Sequence, residues 1–241
     1  MYENGSIVGY DECVDDVYNA QKHNTLGVGY LGLHETCIAL YGKGFYENEV
    51  VLEKAKAIQQ YMAVKIKDMR KRNKLNFSQY ASPCENTCHT AMKKLKDEFG
   101  IIEGVTDREY LTNSHHVPVF AEVSLIEKLK IEANFCKNPQ AGCITYLELE
   151  GSVYNNLEAV EQIINYAMSL DIPYLALNIP LDMCETCGYQ SEINQNECPQ
   201  CGGIDIQRLR RVTGYLTSDY RKFNKGKREE VEMRIKHKMG R

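Results

Sequence analysis

The chain has 241 residues, 43% of them hydrophobic, enough for one large domain or two small ones with a proper core. No secretory leader is visible, and the longest apolar run, at residues 174–179, is far too short to cross a bilayer, so a globular, cytoplasmic protein is expected. Net charge is only −4, but residues 206–241 hold 12 Lys/Arg against 4 Asp/Glu, a basic end that is expected either to meet phosphates or another subunit or to be a solvated face.

Residues 11–23 read as a helix, and residues 26–32 (LGVGYLG) as a short apolar strand or turn whose glycines allow close backbone approach. Helical spacing resumes at 34–40. A long amphipathic helix follows at 47–72, with Val50, Leu52, Ala55, Ile58, Met62 and Ile66 among its apolar positions and a basic run at 67–74. Residues 75–81 (LNFSQYA) alternate like a strand, Ser82 and Pro83 mark a turn, and 85–99 is helical with Gly100 as its stop. Then come a helix at 122–135, a β-rich strand at 143–149 (CITYLEL), a helix at 156–170 and a strand at 174–178. Strands alternating with helices predict an α/β architecture with largely parallel strands. The composition breaks near Pro180, and residues 219–238 are expected to close the chain as a charged helix.

Ten cysteines without a secretory signal point to metal binding, catalysis or burial rather than disulfides. Six of them (Cys13, Cys37, Cys84, Cys88, Cys136 and Cys143) are scattered and are expected to be packed residues. The other four form two Cys-x-x-Cys pairs, Cys184/Cys187 and Cys198/Cys201, with Gly188 and Gly202 following. Two thiolates three residues apart can ligate one metal from a tight turn, and two such knuckles complete a tetrahedral four-cysteine zinc site. All four ligands come from protein, which leaves no open position, so the metal is expected to be structural. Residues 182–201 contain Asp182, Glu185, Glu192 and Glu197 and no Lys or Arg, which disfavours nucleic acid as a partner.

Beyond the second knuckle runs Ile206-Gln-Arg-Leu-Arg-Arg-Val-Thr-Gly-Tyr-Leu216, a basic strand-like segment interrupted by Gly214. By itself the glycine is explained by a turn or a close backbone contact. In its context the segment resembles the glycyl-radical motif (Arg-Val-x-Gly-Tyr) of the class III, anaerobic ribonucleotide reductases, in which a four-cysteine zinc ribbon immediately precedes the radical glycine. Gly29-Tyr-Leu-Gly-Leu, Val105-Thr-Asp-Arg, Thr112-Asn-Ser-His-His-Val-Pro-Val119 and Phe223-Asn-Lys-Gly-Lys227 resemble further segments of that family's catalytic subunit.

The resemblance implies the C-terminal part of a ten-stranded α/β barrel at residues 1–180, a zinc ribbon at 181–204, and a glycyl-radical loop with a basic C-terminal helix at 205–241. It implies Gly214 as the radical store, since a glycine Cα radical is planar and meets no Cβ. An iron-sulfur, S-adenosylmethionine activase would install it. Ribonucleoside triphosphates would be the substrates, operation would be anaerobic, and a homodimer is compatible. Ser82-Pro-Cys-Glu-Asn-Thr87 resembles the family's Thr-Pro-Ala-Glu-Ser stretch, so Ser82, Glu85, Asn86 and Thr87 are substrate-binding candidates, with Ser82 as an ordinary helix N-cap the alternative. His115 and His116, beside Asn113, would either line the site or serve as structural histidines, and Cys136 and Cys143 stand where the family often has histidine. No segment resembles the family's thiyl-cysteine loop or its nucleotide-sensing domain. The expectation is therefore a radical-holding section of a reductase, inactive without an N-terminal portion. The alternatives are an accessory protein presenting Gly214 to an incomplete reductase, and a zinc-ribbon nucleic-acid module.

Overall fold

Residues 24–150, 156–212, 214–217 and 219–237 are described by a computed structural model, except for the side chain of Glu85. The helix expected at residues 11–23, Cys13, Thr213 of the glycine segment and Lys238 at the expected end of the last helix all lie outside the described residues.

The glycine-rich segment forms strand β1 (Thr25–Gly29), and the alternating segment forms β2 (Asn76–Tyr80). They pair in parallel from Thr25 opposite Asn76 to Gly29 opposite Tyr80. The crossover between them is helical, as parallel pairing demands. It comprises α1 (Leu33–Tyr41), ended by Gly42 at φ 73°, and α2 (Glu49–Asn73). Asn48 starts α2 by accepting hydrogen bonds from the amides of Val50 (3.0 Å) and Val51 (3.2 Å), and Arg70, Lys71 and Arg72 in its last turn complement the helix dipole. Val51, Ala55, Gln59 and Ile66 form its buried face, whereas Val50 is exposed. Helix α3 (Glu85–Phe99) ends where Gly100, at φ 74°, donates its N–H to the Lys96 carbonyl.

A second parallel pair repeats the pattern. Strands β3 (Thr145–Glu148) and β4 (Leu175–Asn178) flank helix α5 (Leu157–Ser169), which Asn156 caps through the Ala159 amide. Before them, α4 (Leu125–Ala133) is shorter than the 122–135 span expected, because Ser124 and Glu127 form a reciprocal capping box that fixes where it starts. Every β3 side chain is buried, so its apolar run does not alternate. One apolar cluster (Leu33, Phe45, Val51, Ala55, Val117, Phe135) supports the first pair, and another (Leu129, Leu147, Leu149, Ile163, Ala167, Ile172) supports the second.

The remaining strands make an antiparallel sheet in the order β6-β5-β7-β8, from β5 (Leu181–Cys184), β6 (Gln190–Ser191), β7 (Ile206–Val212) and β8 (Tyr215–Thr217). The fold is thus mixed α/β. Among the described residues the two parallel pairs stay separate two-stranded sheets. No described helix is long and apolar enough to cross a membrane.

The expected helix at 219–238 is not continuous. A short 3-10 turn (Tyr220–Lys222) precedes α6 (Lys225–Glu232), which Asn224 caps through the Lys227 amide. Past Met233 the chain extends instead, because tertiary backbone partners replace helical ones. Ile235 donates to the Val119 carbonyl (2.8 Å) and His237 to that of Glu148 (2.6 Å). Nor is the basic end only a solvated face. Lys227 is buried against Glu230 (2.6 Å), while Arg234 pairs with Glu148 (3.0 Å), Lys225 with Glu109 (2.9 Å) and Lys236 with Glu192. Much of the charge asymmetry is neutralised within the chain.

Glu132 on α4 is fully buried, and it accepts from Lys128 Nζ (2.6 Å) and the Val117 amide (3.0 Å), with His116 Nδ1 at 3.4 Å. Burial pushes its carboxyl up, but Lys128 and His116 outweigh that and hold it below the usual carboxylate range. A depressed carboxylate stabilises the fold above its unfolded pKa and loses that contribution as pH falls through the acid range. Replacing Lys128 with Met leaves this carboxylate buried without its ammonium, and is expected to destabilise the protein by about 3 kcal/mol in urea unfolding at neutral pH. The difference from the parent should shrink as the pH is lowered.

Candidate functional site

Each cysteine pair sits on a tight turn closed by a left-handed glycine. The N–H of Gly188 (φ 73°) bonds to the Cys184 carbonyl, and that of Gly202 (φ 72°) to the Cys198 carbonyl, both at 2.8 Å. A side chain at either glycine would strain this conformation. The turns bring Cys184 Sγ to 3.6 Å from Cys201 Sγ and Cys187 Sγ to 3.7 Å from Cys198 Sγ, with all four sulfurs within 4.8 Å of one another. The amides of Gln200 and Gly203 approach the sulfurs of Cys198 and Cys201 at 3.4 Å. Gly203 is also sterically required, because a Cβ there would stand 2.7 Å from Thr186 Oγ1. Four soft donors converging from two turns suit a tetrahedral metal ion.

The cluster is continuous with the glycine segment. Cys184 is the last residue of β5 and pairs with Ile206, the first of β7. β7 then turns into β8, with Val212 opposite Tyr215, and Gly214 lies in the connection between them. Gly214 is exposed at that tip. At the rise of an extended strand, the cluster and the glycine stand roughly 25 Å apart, so the cluster supports β7 from its far end and does not touch Gly214.

A buried carboxylate fixes β7 to β5. Asp182, with no exposed surface, accepts from Arg210 (2.5 and 3.2 Å), Arg208 (3.5 Å) and the Ile193 amide (2.9 Å). Arg208 also donates to the carbonyls of Ile193 and Gln195, enclosing the loop before the second knuckle. On the other side Arg234 donates to the Arg211 carbonyl (2.9 Å) and pairs with Glu148 at the end of β3, tying the hairpin strand to the parallel unit. Tyr215 stacks on Phe223, with ring centroids 6.4 Å apart.

The other candidates gather at the carboxyl end of β1 and β2. Ser82 follows β2 and packs on Gly29, where a Cβ would approach Ser82 Cβ to 3.1 Å. Ser82 does not cap α3. The cap position belongs to Cys84, which makes no side-chain cap bond, so Ser82 as an N-cap is corrected. Asn86 and Thr87 are exposed on the first turn, and Asn86 Oδ1 accepts from Asn224 Nδ2 (2.9 Å) at the start of α6, while the Glu85 side chain lies outside the described residues. The segment 112–116 closes over the same end, with the Gly32 amide on the Thr112 carbonyl (2.8 Å) and Cys88 Sγ 3.1 Å from Asn113 Oδ1.

Both histidines are buried. Burial lowers His115 to about 3, so it is neutral, and His116 belongs to the Glu132 cluster. Of the scattered cysteines, Cys37 and Cys88 are packed, and burial raises their thiols to about 11 and 12. Cys136 and Cys143 are not simply packed: with His115 they form a second convergent group. A cavity of mixed lining, with Thr112, Asn113, His116, Glu148, Glu230 and His237 among apolar residues such as Val117 and Val119, lies between the parallel unit and the C-terminal segment. Sequence reasoning missed the cavity, and no motif marks Glu148 or His237. Their only signals are an acidic residue inside an apolar strand and a histidine in a basic tail.

A family model described as anaerobic ribonucleoside-triphosphate reductase matches residues 1–237. The chain is similar to the protein of that name from Haemophilus influenzae, 37% identical over 236 residues that cover 94% of this chain and 33% of the relative. It is also similar to the one from Enterobacteria phage T4, 32% identical over 247 residues covering 98% of the chain and 39% of the relative. Among solved structures it resembles an anaerobic ribonucleotide reductase with a TM-score of 0.73 at 20% identity, over 91% of this chain and 35% of that one. The Thermotoga maritima enzyme with glycerol in its active site gives 0.66 at 21% identity, over 85% and 33%. These structural likenesses carry the fold. The chain spans about a third of the length of the curated relatives it matches.

The β5–β7 tie generates a mechanical expectation. Asp182→Asn keeps the shape but removes the charge that both arginines share, and is expected to cost about 2 kcal/mol. Amide hydrogen exchange should accelerate at Ile193 and along β5 and β7, while β1 and β2 keep their protection.

Proposed function

The chain belongs to the anaerobic ribonucleoside-triphosphate reductase family, and on that premise we propose that it is the C-terminal section of a reductase that converts ribonucleoside triphosphates to deoxyribonucleotides by glycyl and thiyl radical chemistry. In this reading residues 1–180 are later strands and helices of the family's ten-stranded barrel, 181–204 the zinc ribbon, and 205–241 the radical loop with its basic end. The single observation that carries it is that Gly214 lies exposed between β7 and β8, beyond the end of the strand whose other end bears the four-cysteine cluster.

Gly214 is the radical store. Loss of one Cα hydrogen atom leaves an electron shared between the flanking amide and carbonyl, and glycine has no Cβ to obstruct a planar centre. A hairpin tip is accessible to a separate iron-sulfur, S-adenosylmethionine activase, and the same exposure admits dioxygen, which would cleave the chain there. Partnership with an N-terminal portion carrying the thiyl cysteine completes the enzyme. Cys184, Cys187, Cys198 and Cys201 hold zinc, which supplies structural cross-linking with every position filled by sulfur. Ser82, Glu85, Asn86 and Thr87, at the carboxyl end of a parallel pair and the start of α3, form the phosphate-facing turn, where backbone amides of the first helical turn receive no side-chain cap from Cys84.

Two measurements test the reading. Anaerobic incubation with the activase and S-adenosylmethionine, with the N-terminal portion supplied, is expected to give a glycine-centred electron paramagnetic resonance doublet and, on exposure to air, cleavage at Gly214. Gly214→Ala should abolish both, and their absence from the parent protein overturns the radical assignment. Zinc analysis is expected to find one metal per chain, lost in Cys184→Ser and Cys198→Ser together with the protease resistance of residues 181–212.

A further inference from the structure

Cys136 and Cys143 lie at the two ends of the loop that joins α4 to β3, and the loop is held rigidly across the end of β2. Its Ala141 carbonyl accepts from the Ala81 amide (3.0 Å), Gln140 exchanges two hydrogen bonds with Gln79 (2.8 and 3.0 Å), and Asn138 Nδ2 donates to Gln59 Oε1 (3.2 Å). Gly142, at φ 76°, admits no side chain, since a Cβ would stand 2.5 Å from the Ala81 carbonyl. This anchoring sets the two sulfurs 2.9 Å apart, closer than the 3.6 and 3.7 Å between sulfurs of the four-cysteine cluster.

The proton order around the pair follows from which neighbours can only accept. Gln59 Nε2 faces the Phe135 carbonyl (3.0 Å), an acceptor only, so the amide nitrogen is on that side and its second hydrogen goes to Tyr30 Oη (2.6 Å). Burial raises the Tyr30 phenol, which keeps its proton and donates it to His115 Nδ1 (2.6 Å). Neutral His115 therefore carries its own hydrogen on Nε2, and Nε2 faces Cys143 Sγ at 3.8 Å. A chain of donors thus ends on the Cys143 sulfur and favours thiolate there. The 2.9 Å between the sulfurs, shorter than the spacing at the four-cysteine cluster, favours a pair that bonds to itself over one spread around an ion. The hydrogen bond between the two thiols acts in the same sense, pulling Cys143 down and pushing Cys136 up. The remaining ionisable groups nearby, His116, Lys128 and Glu132, satisfy one another.

We propose that Cys136 and Cys143 are a redox-active dithiol that exchanges with an external disulfide, R–S–S–R, with Tyr30 and His115 as positioning residues. Cys136 is the more exposed of the two, Cys143 being 8% exposed. In oxidation the Cys143 thiolate takes the Cys136 proton across the 2.9 Å contact as the Cys136 sulfur bonds to one sulfur of R–S–S–R, that S–S bond breaks, and the first RS− leaves, taking that proton from Cys143 as RSH. The Cys143 thiolate then attacks the Cys136 sulfur, closing the intramolecular disulfide and expelling the second RS−, which takes a proton from water. Two electrons pass from the cysteine pair to R–S–S–R. In the reverse direction an external thiolate attacks Cys136, and Cys143 departs as the thiolate that His115 stabilises.

The test uses the full chain with its zinc, equilibrated anaerobically in one arm with mixtures of glutathione and its disulfide, and in the other with a small dithiol protein and its disulfide. Free thiols are trapped by alkylation and mapped by mass spectrometry. The expected result is a peptide linked through Cys136 and Cys143 that forms as the mixture becomes oxidising, while Cys37 and Cys88 stay reduced and zinc stays bound. Closure in either arm supports the site and identifies the size of its partner. Cys143→Ser should halt at a mixed disulfide on Cys136. Tyr30→Phe, which frees His115 to move its hydrogen to Nδ1, should lower the alkylation rate of Cys143 at neutral pH about tenfold and shift its pH profile upward. Independent alkylation of both cysteines at every ratio in both arms, or a second zinc per chain lost with Cys143→Ser, would overturn the proposal. None of these readouts requires a glycyl radical or turnover, so this test and that of the reductase reading fail separately.

Discussion

The buried carboxylate of Asp182 is the constraint on which the C-terminal half depends. A charge with no exposed surface is tolerated only where cations and amides surround it, and here both arginines come from one neighbouring strand. Arg208 and Arg210 lie two residues apart, hence on the same face of β7, and reach one acceptor on β5. A slip of β7 by one residue would put both arginines on the opposite face and leave Asp182 without them. The ion pair therefore selects register, and the register sets which residues of β7 and β8 reach the hairpin tip.

The same logic explains why an acidic body and a basic end share one chain. Glu148 is held by Arg234 and Asn178, Glu109 by Lys96 and Lys225, and Glu192 by Lys236, each joining the C-terminal segment to the rest. Burial raises the Glu148 carboxyl and outweighs the opposing Arg234, and the bond that Arg234 donates to the Arg211 carbonyl adds direction to the contact. The exposed pairs contribute little singly. Their collective effect is orientation of the end of the chain against β3 and β7.

Most elements were legible in the sequence because local signals and tertiary packing agree. Gly100 stops α3, Asn48 and Asn156 start helices, and the alternation at 75–81 becomes β2. The four-cysteine cluster was legible for a different reason, since two short spacings determine which sulfurs converge. The misses are cases of tertiary override. Residues 233–237 have helical composition, yet their backbone is claimed by Val119 and Glu148. The Cys84 cap could not be told from Ser82 by spacing, because both precede α3 and the choice depends on how β2 ends against Gly29. The pairing of Cys136 with Cys143 was invisible because seven residues of separation imply nothing until the loop between them is anchored to β2.

The two cysteine groups differ in what their surroundings demand. At the cluster each turn aims backbone amides at sulfur and spreads the four thiols far enough to surround an ion. At Cys136 and Cys143 the protein supplies one donor chain and one rigid loop, which suffices to distinguish the two sulfurs. Both arrangements rest on glycines whose left-handed backbone no other residue adopts without strain, Gly188 and Gly202 in one and Gly142 in the other. Gly214 stands apart from these. Sulfur ligation does not account for a glycine at an exposed tip roughly 25 Å along an extended strand from the cluster. A hairpin turn already favours glycine there for its freedom at positive φ, and the proposed chemistry at the Cα would add a second reason for it.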